Sequence, residues 1–348
     1  MYIIICFYYY HRAATKHSDL CIFTDGIDPN NYIKEGSGIL RRKCNNQINS
    51  VVIYHNRNYH IETLLFVMDI MDSLSINVKL YNSSHLNNLD KSIKEEYNLA
   101  NSLSSADALL VTTAIPRNIR GNHSCEIQVN HRNYLLKHKG NRFDITFAPV
   151  IYQELFPRLL QASSIMKPYN IGDKYKEKWI LLVQGKVISS KRDFSIVHKI
   201  LESCKSLNFE IWFVGNNRER IQINDRRIKS FRNLNQEKFY HLVRSSHYIL
   251  PLAKPGTKKV YSEYFNKRMA SSISMSISFR LPIIGHPKLF ETYPVVGVSM
   301  DKTNVSEALS FAFNKRCYNK MISMYNKKSE RTRNNNIRVM KDILNLNA

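Results

Sequence analysis

The chain is poor in acid. Its 348 residues carry 28 Asp and Glu against 51 Lys and Arg, a formal net charge of +23 at pH 7. A surface so short of carboxylates suits anionic partners: phosphorylated ligands, nucleic acid or an anionic membrane face. Cysteine is sparse as well. Cys6, Cys21, Cys44, Cys125, Cys204 and Cys317 show no CxxC or other metal-ligand spacing, and they are too few for a disulfide scaffold. They read as small buried hydrophobes in a reducing compartment. No apolar run approaches the length of a membrane helix. Residues 1–10 are apolar but too few, and neither a positive leader nor a small-residue cleavage site accompanies them. GxxxxGK[ST], GxGxxG, GxSxG and HExxH are all absent. That removes the P-loop, the common dinucleotide fingerprint, the nucleophile elbow and the zincin centre.

What is present is the patterning of a large α/β protein. A hydrophobic content of 43%, with 20 Tyr and 16 Phe, excludes a mostly disordered chain, and the length favours two domains over one. Residues 178–285 alternate short apolar runs with amphipathic segments. Trp179–Gln184 ends at Gly185-Lys186; Phe194, Val197, Leu201 and Cys204 then share a helical face. Phe209–Val214 stops at Gly215-Asn216-Asn217, Tyr248–Leu252 follows, and Leu281-Pro282-Ile283-Ile284 ends at Gly285. Such alternation predicts a parallel sheet covered by helices, with ligands at the carboxyl ends of the strands. Ser50–Tyr54, a helix from Ile61 to about Ser75 and Asn77–Tyr81 make a βαβ start to an earlier domain. A helix from Leu89 to Leu103 and strands at Ala108–Thr113, Ile127–Asn130 and Thr146–Val150 continue it.

The stretch between Met166 and Lys178, with Pro168 and Gly172, is the best domain boundary. The expected organisation is an N-terminal extension over 1–47, a first domain over 48–166, a second over 175–326 and a basic C-terminal helix over 327–348. That helix carries Ile337, Met340, Ile343 and Leu344 as an apolar stripe able to pack back across the domain interface.

Two successive α/β domains, the second ending in strand, Pro282, apolar pair and Gly285, resemble the GT-B glycosyltransferases. The second domain resembles in particular their retaining group 1, family 4-like branch. The resemblance covers 178 to about 325 well and 50–165 only in outline. It implies two Rossmann-like domains facing across a cleft, with a nucleoside diphosphate sugar as donor on the second and an unknown acceptor (glycan, lipid-linked or protein) on the first. It also implies a metal-independent transfer that uses neither a metal nor a cofactor. Gly185-Lys186 with Lys191 stands where the branch carries a glycine–arginine pair and a lysine five residues on, the cations that hold the donor diphosphate. Cations there neutralise the charge of a departing diphosphate without a metal, although Lys186 is a point charge rather than a fork. Gly215 matches the family's strand-then-glycine turn. Phe231 and Asn233 lie in the segment that flanks the donor base.

One part of the pattern is missing. The branch carries two glutamates eight positions apart, and the matching positions here are Lys267 and Met275. Glu263 is the nearest carboxylate able to replace the ribose ligand. Ser271 and Ser272 open a serine-rich helix whose amino end can bind a diphosphate. Both features are also compatible with ordinary surface and packing roles. In the first domain His55 and His60 follow the opening strand, with Asp107 as a possible orienting carboxylate, and His131 is a second acceptor-side candidate. His60 and His131 are the candidate catalytic bases, since histidine suits proton transfer near neutral pH. The alternative to a transferase is a GT-B-fold binding or scaffold protein that has lost catalysis with the glutamate pair. The basic charge lacks the aromatic–basic alternation of a nucleic-acid site, the cluster around Phe231 aside. The expected location is cytoplasmic, either free or peripheral at an anionic membrane face.

Overall fold

The computed structural model describes residues 44–55, 61–81, 98–112, 123–130, 142–146, 178–188, 192–215, 223–253, 271–293 and 295–346. They form two six-stranded parallel sheets with helices packed on them. The first sheet holds β1 (Ser50–Tyr54), β2 (Asn77–Tyr81), β3 (Asn98–Ala100), β4 (Ala108–Val111), β5 (Cys125–Asn130) and β6 (Arg142–Thr146), in the order β3-β2-β1-β4-β5-β6. The second holds β7 (Trp179–Gln184), β8 (Phe209–Val214), β9 (Ile228–Phe231), β10 (Tyr248–Ile249), β11 (Ile283–Gly285) and β12 (Gly297–Ser299), in the order β12-β11-β10-β7-β8-β9. Counted from its own first strand, the second sheet repeats the order of the first. Three strands build outward on one side, and the chain then returns to build three on the other. Each sheet therefore has one switch point, between β1 and β4 and between β7 and β10, where a crevice opens at the carboxyl ends.

The apolar runs form central strands because both faces of each sheet are covered. In β1, Val51 and Ile53 pack on one face with Leu64, Phe66 and Met68, while Val52 and Tyr54 join Leu109, Val111 and Ala100 on the other. Those first-face partners belong to α1 (Ile61–Ser73). The second domain adds α2 (Phe194–Ser203), α3 (Gln236–Ser245), α4 (Ser271–Phe279), α5 (Pro287–Thr292) and α6 (Val305–Ala312). The last helix, α7, runs unbroken from Lys315 to Ile343, opened by Asn314, whose side-chain oxygen accepts from the amides of Arg316 and Cys317.

Three expectations change. The helix expected over Leu89–Leu103 gives way at its end to β3, whose Asn98–Ala100 pairs with Lys79–Tyr81 of β2 and buries Ala100 and Leu103. Pairing at an open sheet edge outweighs the local propensity there. β6 lies earlier than the expected Thr146–Val150 strand, sharing only Thr146 with it; residues 147–150, like 89–97, fall outside the described residues. The basic helix expected from residue 327 is the second half of α7, since no Gly or Pro between Lys315 and Ile343 stops the helix.

Helix α7 crosses between the domains. Its first turns bury Tyr318, Met321 and Tyr325 in the second domain, where the Tyr325 hydroxyl meets Ser276 Oγ of α4. Farther along, Arg333 grips Asp69 of α1, with Nε to Oδ2 at 3.0 Å and Nη2 to Oδ1 at 3.4 Å. At its end the carbonyls of Ile343 and Leu344 accept from the amides of Cys44 and Ile48, at 2.8 and 3.4 Å. Residues 44–47, assigned from sequence to the extension, thus belong to the folded body. Cys44 and Cys125 are joined as a disulfide across 81 residues of sequence. This corrects their reading as reduced thiols: chain spacing carries no signal for a bond that needs only proximity in space. Among the described residues Cys204 and Cys317 are free, and no helix is long and apolar enough to cross a membrane.

The Asp69 side chain is 5% exposed and that of Arg333 32%. Removing the cation strands a buried carboxylate, which costs several kcal/mol at a fully buried pair and less here, where water reaches the arginine. Arg333→Ala is expected to lower the unfolding free energy by about 2 kcal/mol in urea titrations, whereas Arg338→Ala, an exposed change on the same helix, should stay within ~0.5 kcal/mol.

Candidate functional site

At the second switch point the chain turns sharply after both β7 and β8. Gly185 has φ +89° and Gly215 φ +142°, conformations that side chains rarely adopt. The Gly185 amide donates to Val214 O at 2.9 Å, and the Gly215 amide donates to Phe231 O at 3.1 Å. The two turns touch: a Cβ built on Gly215 would sit 2.4 Å from the Gly185 carbonyl oxygen. A Cβ on Gly185 would meet Arg192 Nη2 at 3.5 Å and Ser271 Oγ at 3.9 Å. Bare backbone, a guanidinium and a hydroxyl therefore share one spot at the carboxyl edge.

Arg192 organises that spot. Its Nη2 donates to Gln184 O at the end of β7 (2.6 Å), and its Nη1 donates to Pro251 O just past β10. One planar cation thus bridges the two strands that define the crevice. The next residue continues the lacing. The Asp193 amide donates to Leu252 O at 2.9 Å, while its carboxylate caps α2 through Ser195 and lies 3.4 Å from Lys302. Burial opposes ionisation of Asp193, but the bonds from Ser195 and the charge of Lys302 outweigh it and hold the carboxyl below its ordinary range. Gln184 is 3% exposed, and among the described residues its Oε1 has no hydrogen-bond partner. Buried acceptors are ordinarily satisfied by protein groups, ordered water or a bound molecule.

The other residues expected here are placed as follows. Lys186 is exposed, directly after Gly185. Phe231 ends β9 opposite Val214 and packs edge-on against Trp212, with ring centroids 5.3 Å apart. Asn233 is exposed with φ +50° in the turn that follows. Ser271 is exposed at the start of α4, whereas Ser272 is 2% exposed. Met275, at one of the two positions of the missing glutamates, is likewise buried. Lys191, Glu263, Lys267, His60 and His131 lie outside the described residues. Sequence reasoning passed over Arg192 because it adjoins Lys191, the residue at the family spacing; a second cation beside the first was the available signal.

The rim of the crevice also carries His286, directly after β11, where its Nδ1 accepts from the Lys288 amide at 3.2 Å and opens α5. Burial holds its pKa below the ordinary value, although Asp301 and Glu291 pull the other way.

The first switch point is built around His55, directly after β1, and Thr112, directly after β4. His55 Nδ1 lies 2.7 Å from Thr112 Oγ1, and Thr112 Oγ1 donates to Tyr54 O at 3.1 Å. The hydroxyl has a single proton, so with it given to Tyr54 the Nδ1 must donate. In the neutral ring that leaves the lone pair on Nε2. Asp107 takes no part: its Oδ2 accepts from Asn49 N, Ser50 N and Ser50 Oγ at 2.9–3.1 Å, at the opposite end of the same strands. It pins the amino ends of β1 and β4 and cannot orient a histidine at their carboxyl ends. Among the described residues no group of three or more His, Cys, Asp or Glu could hold a metal ion.

No family model matches the chain, and no curated protein matches it in sequence. Solved structures do match in fold. AviGT4, a glycosyltransferase involved in avilamycin A biosynthesis, superposes with a TM-score of 0.52 at 11% identity, covering 82% of this chain and 97% of its own. A Rickettsia africae glycosyltransferase gives 0.51 at 10%, covering 87% and 100%. The Anabaena protein HepE, in complex with UDP and glucose, gives 0.50 at 9%, covering 84% and 98%. The chain has the GT-B fold, two Rossmann-like domains facing across a cleft.

Gly215→Ala adds a methyl group where a carbonyl oxygen already stands and forces an alanine into a left-handed turn. Each effect costs on the order of 1–3 kcal/mol. The variant is expected to melt well below wild type in calorimetry. Ser271→Ala, at an exposed position, should melt with the wild type.

Proposed function

We propose that the protein is a glycosyltransferase that moves a sugar from a nucleotide-activated donor to an acceptor held by the first domain, without a bound metal. The observation that carries this reading is the second switch point. Two glycine turns leave backbone exposed there, Arg192 supplies a fixed cation, and Ser271 opens α4 beside them. A helix amino end and a guanidinium together attract a diphosphate. HepE, bound to UDP and glucose, has the same fold, which fits a nucleotide-sugar donor.

The parts divide by chemistry. Lys186 and Lys191 clamp the diphosphate and neutralise it as it leaves, while Arg192 bridges β7 and the segment past β10. The buried Oε1 of Gln184 accepts from the bound donor. Phe231 and Asn233 flank its base, and Glu263 takes the ribose in place of the missing glutamate. The attacking hydroxyl of the acceptor gives its proton to a histidine of the first domain. His60 precedes α1 and His131 follows β5; His55 joins these two sequence candidates because its Nε2 carries the lone pair. Its ring is 2% exposed, so it serves only an acceptor that displaces its cover. The protein works in the cytoplasm, either free or peripheral at the face of an anionic membrane, which its net charge of +23 suits. The Cys44–Cys125 disulfide runs against a reducing compartment, where such bonds are rare.

Titration calorimetry with a panel of nucleoside diphosphates and their sugars tests the reading. One nucleoside diphosphate should bind, and Lys191→Ala should weaken it by about ten- to a hundredfold, the loss of one charged hydrogen bond, while barely changing nucleoside binding. A folded protein that binds nothing in the panel contradicts the reading. Binding without transfer or slow donor hydrolysis would instead point to the scaffold alternative, which the sequence raises by placing Lys267 and Met275 at the glutamate positions.

A further inference from the structure

Gln184 stands where a strand buried on both faces has no structural use for an amide. It ends β7, between the buried Val183 and the Gly185 turn, and is itself buried. Its backbone carbonyl accepts from Arg192 Nη2 at 2.6 Å. Its side-chain Oε1 is covered and, among the described residues, has no hydrogen-bond partner. A buried acceptor left so costs stability, and an apolar side chain in the same place would not. Register fixes which way the amide lies. Gln184 pairs with Val214, and Val214 pairs with Phe231, so these side chains share one face of the sheet. Two strand spacings put Gln184 about 10 Å from Phe231.

We infer that Gln184 is a specificity-determining residue, whose Oε1 accepts from one hydroxyl of the transferred sugar. The inference rests on the nucleotide-sugar reading above and names the residue that tells the sugar from the bare nucleotide. Elimination carries it. A base held against Phe231 is too far away to meet Oε1. The diphosphate at the glycine turns cannot serve it either, because at neutral pH its oxygens only accept, and two facing acceptors repel. Hydroxyls are the donors that remain. The transferred sugar lies beyond the phosphates from the base, as Gln184 lies beyond β8 from Phe231. The sugar reaches Oε1 by displacing its cover, and pairing then relieves what burial costs. A sugar that lacks this hydroxyl leaves the acceptor unpaired beneath it, which is how a polar site rejects a deoxy analogue.

The test is titration calorimetry and thermal melting of the full chain, wild type against Gln184→Met, which keeps the length and removes the acceptor. The probes are UDP, GDP and ADP, each alone and as its glucose, galactose and mannose esters. The wild type should bind one sugar ester more tightly than the bare diphosphate. Gln184→Met should weaken that ester about tenfold, the loss of one neutral hydrogen bond, and change the bare diphosphate by less than about twofold. It should also melt at or above the wild type, since no buried acceptor is left unpaired. Deoxy analogues of the same ester test the wild type by itself. Removal of one hydroxyl should cost about tenfold there and nothing in Gln184→Met. Equal weakening of ester and bare diphosphate puts the contact on the ribose and overturns the sugar assignment. A Gln184→Met chain that melts well below the wild type reveals an amide satisfied within the protein, and the inference falls. A wild type indifferent to every deoxy analogue overturns it even where the variant does not fold. A folded wild type that binds no diphosphate and no ester defeats the nucleotide-sugar reading itself, and the inference with it.

Discussion

Two peptide backbones approach each other at the carboxyl edge of the second sheet more closely than any side chain would allow. The carbonyl of Gly185 occupies the space where a Cβ on Gly215 would be, so Gly215 must be glycine, while Gly185 takes a positive φ that side chains rarely adopt. Everything nearby is arranged around that contact. The turn after β7 brings the chain back under Arg192, whose guanidinium then reaches the carbonyls of both β7 and the segment past β10. A cation thus bridges the two strands that flank the switch point.

Much of this was legible from residue order alone. The apolar runs of β1, β4, β7 and β8 are unmistakable because strands buried on both faces cannot afford polar positions, and Gly185 and Gly215 announce their turns by ending such runs. What stayed hidden depends on partners distant in sequence. β3 exists because β2 offers an open edge, and β9 has apolar residues only at its two ends, where it pairs as an edge strand. The role of Arg192 follows from carbonyls eight and 59 residues away. Asp107 has the charge to orient a histidine, yet register puts it at the wrong end of the strand. The Cys44–Cys125 bond has no signature in spacing.

The two domains are coupled by more than a linker. Helix α7 leaves the second domain through Tyr325 and Ser276, meets the first through Arg333 and Asp69, and ends on the residues that precede β1. Those residues are fastened in turn to β5 by the disulfide. Helix α4, whose amino end lies at the glycine turns, also packs on α7 and on α1. Ser271 therefore opens an element that touches both domains.

The central claim, that the second switch point is where a nucleoside diphosphate sits, is tested most directly by amide hydrogen exchange of the full chain with and without a saturating nucleoside diphosphate. The account expects slowed exchange in Gly185–Ile188, at Arg192 and Asp193, and in the first turn of α4. These are segments from three separate places in the sequence that meet only in the fold. Protection confined to the carboxyl ends of β1 and β4, around His55 and Thr112, with the glycine turns unchanged, would contradict it.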